Sequence, residues 1–190
     1  FITDGSVEAQ KIVAGSNASV SLNGGGKITG AELPSGTKVA ATVTGNSTLT
    51  ANKVNFTGDF KAKEGSKIIL KGGSVTASDY YENGKKDGYT EFGAIGENSI
   101  IEADGVDIKS ATLATDGAKV TIKNSNINTV EGIWAARKGT INLDGKATYT
   151  ASGEGVEAVD GGVINISGGT LHTTTISVED NGSKFITDGS

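Results

Sequence analysis

A short alternating strand pattern recurs along the chain roughly every 20 residues, and this repeat constrains the fold more than any other feature. The clearest copy runs from Asp160 to Leu171 and reads Asp-Gly-Gly-Val-Ile-Asn-Ile-Ser-Gly-Gly-Thr-Leu. Weaker copies occupy residues 137–145, 116–124 and 64–72. Such self-similarity indicates a repeat architecture, because one unit buries its apolar face only by stacking on its neighbours.

The first apolar residue of each alternating strand serves as a marker for the repeat. Successive markers are 19, 29, 19, 33, 19, 21, 23 and 21 residues apart. The markers are Phe1, Val20, Leu49, Ile68, Ile101, Val120, Ile141, Ile164 and Phe185. A second apolar or small residue follows two positions after each marker, and a third inward position follows seven positions after it. After Ile141 this third position is Thr148. After Val20 the apolar residue, Ile28, comes one residue late. Since strand side chains alternate, these positions predict inward columns.

The pattern predicts an all-β fold, a right-handed parallel β-helix of about 8–9 coils that forms one domain over residues 1–190. An α-helical fold conflicts with the apolar period of two, the frequent glycines and the β-branched residues. A sandwich of antiparallel hairpins remains an alternative, although columns at near-constant spacing favour the solenoid.

Two long intervals predict departures from the regular coil. The first holds the turn Leu33-Pro-Ser-Gly36 and an extra strand at 38–43. The second holds a polar, aromatic segment near 78–90, which we expect to be a loop extruded from the rod.

A second unit precedes each marker strand, as in Gly132-Ile-Trp-Ala-Ala136 and Gly155-Val-Glu-Ala-Val159. Alternation predicts that Ile133 and Val156 point inward and that Trp134 and Glu157 point outward. The segment 91–95 fits this unit with a one-residue slip.

Composition restricts the chemistry. The chain has no cysteine and one histidine, which excludes disulfides, thiolate sites and histidine metal clusters. Neither an EF-hand loop nor a calcium-binding nonapeptide array is present, so no metal and no cofactor are predicted. The net charge of −5 argues against nucleic-acid binding. No run of about 18 apolar residues occurs.

Aromatic and basic residues outside the repeat are the candidate binding residues. They are Tyr80, Tyr81, Lys85, Lys86 and Tyr89 in the extruded loop, and Trp134, Arg137 and Lys138 on the rod. An exposed aromatic beside arginine is typical of a protein-binding hot spot and also suits stacking on a sugar ring. The alternative is that Tyr81 or Tyr89 folds back onto Leu113 and Trp134 and seals the loop to the rod.

The segment from Gly155 to Leu171 resembles the passenger domains of bacterial autotransporters of the pertactin and AIDA type, and Gly132 to Gly145 is a second good match. The 19-residue spacings are also similar to those of filamentous-haemagglutinin-like exoproteins. The resemblance implies type V secretion, a parent chain linked to an outer-membrane β-barrel, and a place outside a Gram-negative cell, either secreted or on its outer-membrane surface.

The resemblance also implies a function, namely that of an adhesin or virulence factor that binds a host cell-surface protein or glycan, or a bacterial surface, without catalysis. Three alternatives remain open: a released effector with a specific host receptor, a self-associating rod, and a polysaccharide-active enzyme with Arg137 or Lys138 as its base. The shared motif is scaffold and assigns no binding residue.

The hexapeptide Phe-Ile-Thr-Asp-Gly-Ser occurs at residues 1–6 and again at 185–190. It marks two equivalent strand positions, a larger repeat of 184 residues, or a duplication introduced by cloning. We expect the parent chain to extend past one or both ends, because uncapped strand edges invite association.

Overall fold

The structure, a computed structural model, describes residues 1–82 and 85–188, with the backbone alone for Tyr81. The chain is a right-handed parallel β-helix of about nine turns, and the described part contains no helix. The predicted fold class is therefore confirmed. Each turn contributes strands to three faces, and two long strands, β8 and β10, run across the corner between the first two faces.

The strands are as follows. The first face contains β1 (Ile2–Thr3), β4 (Ser19–Leu22), β14 (Ile100–Asp104), β17 (Lys119–Lys123), β20 (Thr140–Asp144), β23 (Val163–Ser167) and β26 (Lys184–Thr187). The second face contains β2 (Val7–Ala9), β5 (Gly26–Ile28), β15 (Asp107–Lys109), β18 (Asn126–Thr129), β21 (Thr148–Ala151) and β24 (Thr170–Thr173). The long strands shared by these two faces are β8 (Thr48–Thr57) and β10 (Lys67–Thr76).

The third face contains β3 (Ile12–Ala14), β7 (Lys38–Val43), β9 (Asp59–Lys63), β13 (Glu91–Ile95), β16 (Ala111–Thr115), β19 (Ile133–Ala136), β22 (Val156–Ala158) and β25 (Ile176–Val178). Three further strands lie outside the regular turns: β6 (Ala31–Glu32), β11 (Asp79–Glu82) and β12 (Lys85–Tyr89).

The marker residues stack in one column along the first face, as predicted. Val20 pairs with Leu49, Leu49 with Ile68, and the column continues in register to Ile164 and Phe185. The two copies of the hexapeptide contribute Ile2–Thr3 and Ile186–Thr187 to first-face strands, β1 and β26. The repeat spacing therefore predicts the pairing register of this face over the described turns.

The prediction of the third inward residue is wrong in one turn. Tyr149, rather than Thr148, pairs with Ile127 and Leu171 and is fully buried. Its hydroxyl donates to the Asp144 carbonyl at 3.2 Å. The corner before β21 holds three residues, whereas the corner before β18 holds two, and the extra residue shifts the inward position by one.

The one-residue slip of segment 91–95 lies in the corner that follows it, because four residues separate β13 from β14, whereas three separate β19 from β20. Within the third face the register is regular, and Phe92 pairs with Phe60 and with Thr112, in line with Ile133. One expectation for this face needs correction. The strand at 38–43 is a regular member of the face, and the additional element is the short β6, which pairs antiparallel with it. The inward positions of Ile133 and Val156 are confirmed by their burial.

The core is one continuous column of aliphatic side chains with an aromatic cluster near its middle. Phe56 meets Phe60 edge to face at 4.8 Å between ring centroids, and Phe60 stacks on Phe92 at 5.5 Å. All three rings are at most 1% exposed. Such pairs add about 0.5–1.5 kcal/mol each beyond the area they bury. The described residues contain no helix that is long and apolar enough to cross a bilayer.

Candidate functional site

The segment predicted as an extruded loop is a β-hairpin that leaves the rod between its second and third faces. Its strands β11 and β12 pair antiparallel, with Asp79 opposite Tyr89 and Tyr80 opposite Gly88. The register shifts after Tyr80, so the hairpin contains a bulge. Asn83 and Gly84 at its tip lie outside the described residues.

The base of the hairpin is tied together by hydrogen bonds. The Ser78 N–H donates to the Thr90 hydroxyl at 2.8 Å, and the Thr90 N–H donates to the Ser78 carbonyl at 2.8 Å. The Ser110 hydroxyl, from the next coil, donates to the Thr90 carbonyl at 2.8 Å. Because an isolated two-stranded hairpin is marginal in water, these contacts with the rod set its position.

The hairpin and the third face enclose a cleft of about 330 Å³. The hairpin lines it with Tyr80, Asp87, Gly88 and Tyr89, and the rod lines it with Asp59, Lys61, Thr90, Glu91, Glu131 and Trp134. Tyr80 is 40% exposed and Tyr89 is 39% exposed. The hairpin thus brings Tyr89, one of the two tyrosines of the fold-back interpretation, to the cleft that Trp134 lines, whereas Leu113 does not line it. Tyr80 and Tyr89 both stay partly exposed, as the hot-spot interpretation requires.

Trp134 points outward on the third face, as predicted, where it pairs with Leu113 and Glu157. A Cβ on Gly132 would lie 2.8 Å from the indole Cε2, so the ring occupies the space beside the Gly132 backbone. Glycine at this position is therefore what lets the indole fold back along its own strand.

Gly93 occupies the same outward column, between Lys61 and Leu113. Because it has no side chain, the column is interrupted below Leu113. A Cβ at Gly93 would meet the Leu113 Cβ at 3.4 Å, which is ordinary contact. Glycine at this position therefore leaves open space over the third face, and the backbone conformation does not require it.

Lys61 is held between two carboxylates at one side of the cleft. Its Nζ lies 2.8 Å from Glu91 and 3.3 Å from Asp59, and the three side chains are 18–30% exposed. The Glu91 N–H also donates to Asp59 at 3.3 Å. Burial raises the pKa of Asp59 despite the nearby ammonium. Burial opposes the charge on Lys61, but the two carboxylates outweigh it and raise the pKa of Lys61.

Glu131 lies where the cleft meets the hairpin. The Tyr89 backbone N–H donates to its carboxylate, and a Cβ at Gly88 would lie 3.4 Å from its Oε1. Burial, together with the carboxylates of Glu154 and Glu91, raises the pKa of Glu131. Among the described residues, no ion pair involves Glu131, so its negative charge is not neutralised by direct contact.

Lys86 is engaged within the hairpin. Its Nζ lies 2.8 Å from Asp79 and 4.3 Å from the centre of the Tyr89 ring. The hydrogen bond to Asp79 raises the pKa of Lys86. Lys85 is exposed, and the predicted role of Tyr81 falls on a side chain outside the described residues.

Arg137 and Lys138 do not line the same cleft. They form the corner after β19, both with positive φ, and line a separate shallow hollow with Asp116 and Asp160. The Arg137 Nη2 donates to Asp116 at 3.0 Å, and this hydrogen bond lowers the pKa of Asp116. The structure therefore groups the hairpin tyrosines with Trp134 and places the two basic residues apart.

Five charged residues line the cleft outside the predicted set: Asp59, Lys61, Asp87, Glu91 and Glu131. Asp59, Lys61 and Glu91 lie on third-face strands beside inward residues, so alternation indicates that they point outward. Asp87 lies on the hairpin, and Glu131 precedes β19, where alternation gives no signal. What the sequence did not indicate was that the hairpin bends over this face. Sequence reasoning instead grouped Arg137 with Trp134 because they are near each other in the chain.

No group of three or more acidic or histidine side chains that could hold a metal ion occurs in residues 1–82 and 85–188. No protein-family model, no curated protein and no solved structure matches the chain.

Proposed function

We propose that this chain is a non-catalytic binding module of a bacterial protein displayed on or released from the outer surface of a Gram-negative cell, in the manner of an autotransporter passenger. Two points support this proposal. The parallel β-helix is the fold that the passenger resemblance implies. The repeat residues that carry the resemblance form the scaffold, which leaves the departures from the repeat for recognition.

The observation that carries the proposal is the aromatic cleft under the hairpin. Here an inserted hairpin places Tyr80 and Tyr89 beside Trp134, whereas the other inserted strand, β6, contributes no aromatic side chain. Partly exposed aromatic side chains around a concave site are the usual anchors of protein and sugar recognition. The binding site of the module is this cleft, and its partner is a molecule of a host or bacterial surface.

Replacement of residues 79–89 by a short Gly-Ser turn tests the proposal. We expect binding to target cells to be lost, while the β-rich circular dichroism spectrum and the thermal midpoint stay close to those of the parent protein. The matched control replaces Leu33–Gly36, the turn of the other inserted element, by Gly-Ser of equal length, and this control should bind normally. Unchanged cell binding by the hairpin variant would refute the site assignment.

A second variant addresses the predicted basic residues separately. Arg137→Ala combined with Lys138→Ala changes only the other hollow, since neither residue lines the cleft. We expect this double variant to retain cell binding. Loss of binding here, with retention in the hairpin variant, would move the site to the corner after β19.

A further inference from the structure

The cleft is strongly negative. Four carboxylates line it, those of Asp59, Asp87, Glu91 and Glu131, against the single ammonium of Lys61. Lys61 is already paired with Asp59 and Glu91, so its single positive charge is more than balanced by these two carboxylates. Among the described residues, the carboxylates of Asp87 and Glu131 have no ion-pair partner, and both line the cleft with the aromatic rings. A cationic group entering the cleft would therefore be attracted, and an anionic group would be repelled.

The aromatic walls favour the same sign of charge. The face of an aromatic ring carries negative charge and attracts ammonium and guanidinium groups within about 6 Å. Tyr89 shows this preference within the chain, because the Lys86 ammonium lies 4.3 Å from its ring centre. Lys86 is not among the residues that line the cleft. Tyr80 and Trp134 have no such cation among the described residues.

The volume of the cleft limits the size of the group. At about 330 Å³ it is at the small end of ligand sites, which suits one side chain better than a folded segment or an oligosaccharide. Guanidinium combines a flat surface that stacks on aromatic rings with several N–H donors for carboxylates. The chemistry of the cleft therefore fits a long basic side chain.

We propose that the cleft binds the cationic side chain of an arginine or lysine on the surface of a partner protein, with the charge at the Glu131 carboxylate and the alkyl stem between Tyr80 and Trp134. The proposal rests on the proposed function and narrows it, because it selects a basic protein surface over a neutral glycan. The overall charge of −5 would assist the encounter with such a surface.

The single tryptophan of the chain, Trp134, makes the test direct, since its fluorescence reports on this cleft alone. The probes are N-acetyl-arginine amide and its neutral isostere N-acetyl-citrulline amide, with N-acetylglucosamine as a sugar. We expect a saturable change in emission with the arginine probe, at least tenfold weaker binding of citrulline, and no response to the sugar. Equal responses to arginine and citrulline, or a response to the sugar alone, would overturn the proposal.

Glu131→Gln supplies the second measurement. Losing one charged hydrogen bond costs about 1.5–3 kcal/mol, so the arginine probe should bind at least tenfold more weakly. Glu102→Gln is the matched control, because Glu102 pairs with Lys67 on the first face, and it should leave the affinity unchanged. Both variants should keep the parental circular dichroism spectrum. Equal affinity of Glu131→Gln and the parent would contradict the assigned role.

Binding should also weaken as the pH falls through the raised pKa of Glu131, whose charged surroundings are Glu154, Glu91 and Lys86. If Glu131 is the titrating group, the affinity of Glu131→Gln for the probe should not fall over this pH range. The same fall in affinity in Glu131→Gln would show that another group is responsible.

The experiments distinguish failure of the proposed function from failure of the basic-ligand assignment. If the hairpin replacement abolishes cell binding but the arginine probe leaves Trp134 emission unchanged, the basic-ligand assignment is wrong and the proposed function stands. If the probe binds as expected but cell binding survives hairpin replacement, the proposed function is wrong and the chemistry of the cleft stands.

Discussion

Replacement of Gly132 by alanine should displace the indole of Trp134 while the rod stays folded. An ideal Cβ at Gly132 lies 2.8 Å from the indole Cε2 and 2.9 Å from Cζ2 and Nε1. Favourable contacts between carbon atoms begin at about 3.5 Å, so the ring has to retreat from the strand by more than about 0.5 Å. The ring is the far end of a side chain on an exposed face and has room to move.

The backbone at Gly132 accepts alanine. Its φ lies outside the left-handed region, and the register of β16 with β19 places Ala111 at the equivalent position one coil earlier. A compatible Gly→Ala change stabilises by about 0.4–1 kcal/mol through the unfolded state. Since the partial loss of indole packing opposes this gain, we expect the free energy of unfolding to change by less than about 1 kcal/mol.

The displaced ring should weaken the proposed binding. A cation over an aromatic ring contributes about 0.5–2 kcal/mol, which corresponds to a loss of roughly 2- to 30-fold in affinity for the arginine probe. The assays are emission and acrylamide quenching of Trp134, urea unfolding, and probe titration. Gly93→Ala is the control, because its Cβ would make only ordinary contact with Leu113.

The reasoning would be refuted by either of two results. Unchanged emission and quenching in Gly132→Ala would mean that the indole does not lie against Gly132. A loss of several kcal/mol in unfolding free energy would mean that the backbone, rather than the ring, absorbs the added methyl group.

Two further predictions concern the rod. Gly73→Ala should destabilise it by about 1–3 kcal/mol more than Gly105→Ala, because both positions have left-handed φ but only at Gly73 would the Cβ meet a backbone atom of the coil below, the Val54 carbonyl oxygen. Burial raises the pKa of Tyr149 from 10.0 to about 12. The unfolded chain therefore releases this proton at lower pH than the folded chain, and stability should fall by up to about 3 kcal/mol between these pH values, a fall that Tyr149→Phe should lack.

Urea denaturation measures the free energy of unfolding for the glycine variants and for Tyr149→Phe. Equal losses in the two glycine variants would show that φ strain alone, and not the spacing between coils, restricts these corners. For the tyrosine, the comparison is the difference in unfolding free energy between the parent and Tyr149→Phe across the alkaline range. A difference that stays constant with pH would contradict a buried, protonated hydroxyl at this corner.

Much of the fold follows from local alternation. A strand side chain points in or out according to its position, and one apolar face per strand forces inward residues of successive coils into columns. This is why the spacing of Val20, Leu49 and Ile68 predicts their pairing, and why Trp134 could be placed outside the rod. Where the prediction of Thr148 was wrong, a corner one residue longer had changed the phase, and corner length carries no periodic signal.

The candidate site was only half predictable for a different reason. The sequence identifies the inserted segment and the outward Trp134, because both depart from the repeat. It does not determine that the hairpin lies over the third face, that Glu131 receives the Tyr89 N–H, or that Arg137 turns to Asp116 in another hollow. Those contacts depend on how coils of unequal length stack and on the direction in which the hairpin leaves the rod. Only the tertiary structure decides that, because it joins residues from different coils.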